Sequence, residues 1–501
     1  MSNERLDPMS AHPTPLSETK RTFFGHPYGL MTLFTTEMWE RFSYYSMRAI
    51  LLYFLIDVTT NDGLGLEKGI GEALTQVYSA SVFLLAVIGG WVADRVWGPR
   101  RATLYGGIVI VIGHVLLALP IVVTSYLGIM FVALGTGLLK PNISTMVGAL
   151  YYNDDPRRDG GFSIFYMGIN IGSLVSPFAV AAARNWGGYH AGFSVAAIGM
   201  AVALILFIFG RKNLPADVDH VPNPLSAEEK KKVTLAVLGA LVIVAILMSI
   251  YNRFTGVGII VTVIDTLSLF SVLAPITYFI VMFKSPQVTS AERSRLAAFI
   301  PLFLAAMLFW MIFEQAASSM SSFAKDNTEL NTGFVTINPE WFQSVNPIFI
   351  VALTPIFASF WSHWGSRIPT ATKITIGIGL GGLSFIWLGV WAGVYSGVKA
   401  PWWVLFLTFI IQTVGELFLS PVGLAATTML APRAFKSQAM ALWFLASASG
   451  QAIAAQTLKA TANMSNTSVF ISTGAVALIF TVILAALNPW IGRHIHTQEA
   501  K

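Results

Sequence analysis

Apolar runs recur along the whole chain, near 29–57, 76–95, 102–122, 126–150, 162–183, 191–210, 232–252, 257–283, 297–323, 342–363, 373–395, 402–430, 438–459 and 467–491. A bilayer core of about 30 Å needs about 20 residues of helix, and Trp, Tyr or Pro flank many of these runs, as membrane interfaces favour. The pattern predicts fourteen transmembrane helices in an all-α polytopic membrane protein. Residues 1–24 are polar, contain Pro and Ser and have no apolar signal-peptide core, so they are expected to be a disordered tail. Residues 492–501 are expected to form a second tail.

The first run departs from the apolar pattern. Glu37, Glu40, Arg41 and Arg48 interrupt it, with Tyr44 and Tyr45 between them. At about 100° per residue all six fall on one helical face about 140° wide. Charge at that depth costs several kcal/mol or more, so this face must line something wet. Composition agrees with a membrane protein: 55% of the residues are hydrophobic and only 11% charged, against about 25% charged in soluble domains. The chain has no cysteine, which excludes disulfides, thiolate metal sites and cysteine nucleophiles.

Its net charge of +6 does not point to nucleic acid, because the basic residues sit in short loops. One set of loops holds Arg95, Arg100 and Arg101; Arg157 and Arg158; Arg211, Lys212 and Lys230 to Lys232; Lys284, Arg293 and Arg295; Arg367 and Lys373; Arg433 and Lys436. The alternate loops hold only Lys68, Arg184, Arg253, Lys325, Lys399 and Lys459. By the positive-inside rule both termini are expected in the cytoplasm, with the chain in the cell (inner) membrane.

Gly89, Gly90, Asp94, Arg95, Gly98, Arg100 and Arg101 resemble the loop signature of the major facilitator superfamily. That resemblance implies two six-helix bundles built from three-helix repeats, at 25–212 and 296–491. The runs at 232–252 and 257–283, with few polar residues beyond the lone Asp265, are then two extra helices within a linker at 213–295, expected to be a structural addition. Once they are set aside, the deep ionisable residues fall on the first helix of each three-helix repeat: Glu37, Glu40, Arg41 and Arg48, then Lys140, Glu314 and Glu416. Intramembrane charges face the bundle interior and pair. Four acids against three bases leave one negative charge, so a single proton neutralises the set. A zwitterion would fit with its carboxylate on the bases and its amine on an acid.

At these residues the chain resembles the proton-dependent oligopeptide transporter family, bacterial branch. Glu37-x-x-Glu40-Arg41 matches the family's first-helix signature and Phe165 to Ser173 (FYMGINIGS) its fifth-helix signature. Further matches are Gly137 to Asn142 (GLLKPN), Phe309-Trp310 with Glu314-Gln315, Phe342 to Pro347 (FQSVNP) and Gly415 to Pro421 (GELFLSP), and the resemblance covers roughly residues 22–490. It implies proton-coupled import of di- and tripeptides by alternating access, with no cofactor, protons as the coupling ion, membrane lipid as the surroundings and a monomer as the working unit. It also implies that Arg41, Lys140 and Tyr45 receive the peptide carboxylate, that Glu416, Asn170 and Asn346 hold the amine, and that Tyr44, Tyr78, Trp443 and Ser447 shape side-chain pockets. Glu314 would bind the driving proton and, when ionised, pair with Arg48 as the extracellular gate. Glu37 and Glu40 would couple that proton to the carboxylate site. Animal members carry a histidine near the position of Tyr78; Ser79 and its neighbours provide none here, so carboxylates must carry the proton.

Transport of nitrate or another small anion is the alternative reading, weakened because an acid at the amine site has no use for nitrate. An intramembrane hydrolase is disfavoured by the lack of an HExxH motif and of a convergent Ser/His/Asp set, so the chain is not expected to be an enzyme. A passive channel is disfavoured because mixed-sign pairs that lock one another suit alternating access. His114 is expected to be a satisfied core histidine, Asp57 to be solvated at a helix end, and Asp94 with Arg95 and Arg101 to serve either as a latch between helices at the cytoplasmic face or as a simple topology anchor.

Overall fold

Each apolar run folds as a helix, since a backbone in lipid must satisfy its own hydrogen bonds. The computed structural model describes residues 22–152 and 155–496. Its helices are α1 (Gly29–Ile56), α2 (Lys68–Val92), α3 (Pro99–Leu117), α4 (Val122–Gly148), α5 (Arg158–Gly210), α6 (Ala227–Thr255), α7 (Ile259–Lys284), α8 (Ser290–Phe313), the short α9 (Ser319–Asn327), α10 (Val345–Trp364), α11 (Thr370–Val394), α12 (Trp402–Leu430), α13 (Lys436–Ala460) and α14 (Asn466–His496). α5 is two spans. Gly187 and Gly188 leave helical geometry, with Gly188 at φ +76°, which favours glycine. A Cβ on Gly192 would lie 3.2 Å from Val180, whereas 12 residues of continuous helix extend about 18 Å. The chain therefore doubles back there, and the thirteen long helices make the fourteen expected spans.

Two apolar cores divide the molecule, one centred on α1–α5 and one on α8–α14. Inside each bundle the tightest crossings use glycine. A Cβ on Gly128 would sit 2.6 Å from the Gly113 carbonyl, and one on Gly135 2.6 Å from the Gly106 carbonyl, where α4 crosses α3. In the second bundle a Cβ on Gly474 would lie 2.8 Å from the Gly382 carbonyl, where α14 crosses α11. In lipid, association rests on such close backbone approach.

Several boundaries differ from expectation. α2 begins at Lys68 rather than near 76, because Glu72 and Gln76 are turned inward and buried, which masks an apolar pattern. α8 begins at Ser290, so the expected boundary at 295/296 falls inside it; Thr289 and Glu292 form a capping box that starts the helix earlier. α14 keeps 492–496 helical. The expected tail at 1–24 lies outside the described residues up to position 21, while Thr22–Phe23 pairs with His26–Pro27 as a short ribbon and Phe23 packs on Phe34. The linker is stitched to the tip of α2 and α3: Asn223 and Leu225 donate to the Asp94 and Arg95 carbonyls, Arg95 meets Glu229 at 3.4 Å, and Arg100 pairs with Asp219. These contacts tie Arg95 and Arg100 to the linker rather than to the other bundle.

α6 buries no residue, as a lipid-facing helix would. α7 packs on α2 and α13, and Asp265 pairs with Lys459 while accepting from Gln456 at 2.9 Å. Among the described residues four ion pairs join the two bundles, and these four lie toward the helix ends that carry the charge-poor loops. They are Arg48–Glu314 at 2.6 Å, Arg184–Glu340 at 2.9 Å, Lys68–Asp326 at 3.4 Å and Lys325–Asp57 at 3.8 Å. Tyr53 reinforces them by donating to the Ser321 carbonyl, and Ser322 by donating to Glu72. Asp57 is thus a bridge and not a freely solvated carboxylate. Partial burial pushes its carboxyl upward, but the Tyr189 hydroxyl, which donates at 2.7 Å, and the Lys325 ammonium outweigh this and hold it below the usual carboxylate range. His114 is fully buried and meets Ser43 at 2.8 Å through Nε2, but its Nδ1 is buried without a partner, so the expected core histidine is only half satisfied.

Two outcomes are expected in thermal unfolding in detergent. Gly128→Ala forces α3 and α4 apart and costs about 1–3 kcal/mol, whereas Gly239→Ala, with nothing within 4 Å of its Cβ, leaves the transition unchanged or slightly higher. Arg184→Ala leaves the fully buried Glu340 unpaired and costs about 3–5 kcal/mol; adding Glu340→Gln recovers part of that loss.

Candidate functional site

The apolar cores leave one polar gap between them, a cavity of about 630 Å³, within the range of roughly 300–1,000 Å³ that small-molecule sites occupy. Of the fourteen residues singled out from the sequence, eleven line it: Glu37, Arg41, Tyr45, Arg48, Lys140, Asn170, Glu314, Asn346, Glu416, Trp443 and Ser447. The other three stand behind this wall. Glu40 is buried on Arg41, and Tyr44 and Tyr78 stack with ring centroids 6.5 Å apart, the Tyr44 ring lying under Arg41.

The helical periodicity of α1 sets the acid–base arrangement. Glu37 lies one turn before Arg41 and approaches its Nε to 3.3 Å, while Glu40 grips the same guanidinium at two points, one of them at 2.6 Å. Two carboxylates thus share one guanidinium, the planar fork of which suits bidentate pairing. Lys140, facing them from α4, has no carboxylate within 4 Å among the described residues; its ammonium sits 4.3 Å over the Phe83 ring. Of these two cations of the first bundle, Arg41 is engaged and Lys140 is not.

The second bundle presents the opposite sign. Asn346 donates to the Glu416 carboxylate at 2.9 Å and to Thr413 at 3.0 Å, joining α10 to α12. From the first bundle, Asn170 spends its amide N–H on the Tyr166 carbonyl at 3.0 Å, the backbone oxygen one turn earlier. Trp443 enters the cavity because a residue without a side chain lies behind it: a Cβ on Gly423 would fall 1.8 Å from the indole. Ser447 accepts from Gln451 at 3.0 Å.

At one end the Arg48–Glu314 pair closes the cavity, with Arg48 over the Tyr45 ring at 5.9 Å. From there the lining follows α10 through Asn346, Ile350 and Thr354 and α12 through Glu416, Ser420 and Leu424, toward the basic loops. The cavity is sealed on the charge-poor side and extends toward the basic side.

Sequence reasoning did not single out Phe83, Tyr166, Trp310, Gln343, Phe409 and Gln412 as site residues, although all line the cavity. Gln412 was the most accessible of these, since it stands one helical turn before Glu416 in an otherwise apolar run. The aromatic residues carry no such signal, because rings are as frequent in lipid-facing and core positions.

A sequence profile of the POT family matches residues 100–477. The di-/tripeptide transporter of Lactococcus lactis subsp. cremoris is 44% identical over 485 residues, which cover 94% of this chain and 97% of that protein. A crystal structure of a peptide transporter POT in complex with sulfate superposes with a TM-score of 0.91 at 44% identity, covering 95% of this chain and 98% of the other. A POT family transporter in complex with 5-aminolevulinic acid gives a TM-score of 0.90 at 38% identity, covering 95% and 100%. The profile spans more than half of the chain and the Lactococcus relative nearly all of it, so the chain belongs to the POT family.

Proposed function

We propose that the chain is a proton-coupled symporter that imports di- and tripeptides by alternating access. The observation that carries this reading is the polarity of one cavity: cations Arg41 and Lys140 on the first bundle, and the Glu416 carboxylate with Asn346 on the second. A peptide is a zwitterion of variable length, and it bridges those walls with its carboxylate on the cations and its ammonium on Glu416. Asn170 adds an amide beside the amine position, Tyr45 stands on the carboxylate side, and Trp443 and Ser447 contact side chains. Tyr44 and Tyr78, being behind the wall, act through the position of Arg41. The Lactococcus relative's name and the aminolevulinic acid complex of another family member support a substrate with both groups. Nitrate offers nothing to Glu416.

The positive-inside rule supports a cytoplasmic side for the basic end and both termini; in that orientation the closed Arg48–Glu314 end faces outward and the cavity faces inward. Proton binding at Glu314 removes the negative partner of Arg48 and loosens the outer closure. An arriving carboxylate competes with Glu40 and Glu37 for Arg41, which frees a glutamate to accept a proton. Transport then couples two events at opposite ends of one charge network. The chain works as a monomer in the cell membrane, and the reading requires no catalysis and no bound cofactor.

In proteoliposomes with an inward proton gradient, a labelled dipeptide is expected to accumulate and nitrate is not. Glu314→Gln should abolish that accumulation and spare counterflow exchange; retention of driven uptake would refute the proton role. Glu416→Gln should weaken peptide binding by roughly 10–100-fold, the worth of about one charge-assisted hydrogen bond. In the parent, N-acetylating the dipeptide costs a similar factor, and in Glu416→Gln it costs little more; equal penalties in both proteins would place the amine elsewhere.

A further inference from the structure

Gln76 is polar, 1% exposed and unused by the mechanism above. It lies on α2, one turn after Glu72, in the seam between the bundles. Opposite it the polypeptide breaks: α8 stops at Phe313, Glu314–Ala317 forms a tighter turn, Ser318 sits at φ −127° and ψ −101°, and α9 resumes at Ser319. A helix interrupted inside a membrane frees carbonyls that need donors. The second bundle supplies several itself: Gln315 donates to the Met311 carbonyl, Ser321 to the Ala316 carbonyl and Ser319 to the Gln315 side chain.

The Glu314 carbonyl is served differently. The Gln76 amide crosses from the first bundle and donates to it at 2.9 Å and to Ser318 Oγ at 2.7 Å. Glu314 is therefore held by the first bundle twice, through its carboxylate on Arg48 and through its own backbone. The Gln76 carbonyl oxygen is buried without a partner, an arrangement that costs energy while the seam is closed and is relieved when the seam opens to water.

We infer that Gln76 is a positioning residue of the outer gate: it grips the Glu314–Ser318 break and sets the backbone from which Glu314 reaches Arg48. This rests on the transport reading. Gripping both sides of a helix break makes closure depend on that break keeping its shape. The carboxylate that binds the proton and the backbone that carries it are then released together.

Because the chain has no native cysteine, Ser321→Cys, at a site 4% exposed in the closed seam, gives a single reporter for an impermeant maleimide added outside, and its loss of the bond to the Ala316 carbonyl is common to every protein compared. Gln76→Leu in that background should speed labelling roughly tenfold, as expected for lost buried hydrogen bonds. It should lower proton-driven uptake by a similar factor while leaving the half-saturation for counterflow unchanged. Ser318→Ala should give a smaller effect in the same direction, and combined with Gln76→Leu it should add little, since the Gln76–Ser318 contact it removes is one of the two that Gln76→Leu already removes. Gln76→Asn, too short to reach both acceptors, provides a second folded variant if Gln76→Leu is not monodisperse. Labelling and uptake like the parent's in either Gln76 variant, or fully additive effects with Ser318→Ala, would overturn the inference. Absence of dipeptide uptake by the parent would instead refute the transport reading, and the labelling rates would still test the grip.

Discussion

The Arg48–Glu314 pair is the interaction on which the rest of the structure depends. A single charge within a bilayer is expensive, and a matched pair across an interface is stable only while both partners are in place. Each bundle contributes one member, so neither bundle can satisfy its own charge. The seam must close to neutralise the two residues, or water must enter to solvate them. That is a bistable element, and the remaining cross-bundle contacts, Arg184–Glu340, Lys68–Asp326 and Lys325–Asp57, lie on the same side of the molecule.

Within each bundle the forces are of another kind. Glycine-lined crossings between α3 and α4, and between α11 and α14, hold backbones in contact and leave no charge to titrate. Rigid bundles joined by a switchable seam suit alternating access, because deformation is confined to the seam. The α6–α7 pair follows the same division: α6 buries no residue, α7 lies over α2 and α13, and the linker fixes the loop between α2 and α3 of the first bundle.

The cavity combines opposite charges in a way that keeps them apart. Arg41 is occupied by Glu37 and Glu40, whereas Lys140 and the free side of Glu416 remain available. In the proposed function this asymmetry separates a cation that must be won from a glutamate from one that is ready. Aromatic surfaces from Trp310, Phe409 and Trp443 complete the walls and tolerate varied side chains.

Much of this was legible in the residues alone. Apolar run length located the helices, and the cost of buried charge singled out Glu37, Arg41, Lys140, Glu314 and Glu416 against a greasy background, because lipid permits few explanations for a charge. Polar residues near helix ends were harder to read: the inward-facing Glu72 and Gln76 hid the first two turns of α2, and Asp57 looked solvated until Lys325 was found across the seam. Local pattern encodes which residues a bilayer must hide. It does not encode which bundle supplies the partner, nor that Glu40 would take Arg41 while Tyr44 and Tyr78 withdrew behind it. The partners across the seam, Arg48 with Glu314 and Asp57 with Lys325, are remote in sequence, and they and the inner wall are decided only when the helices pack.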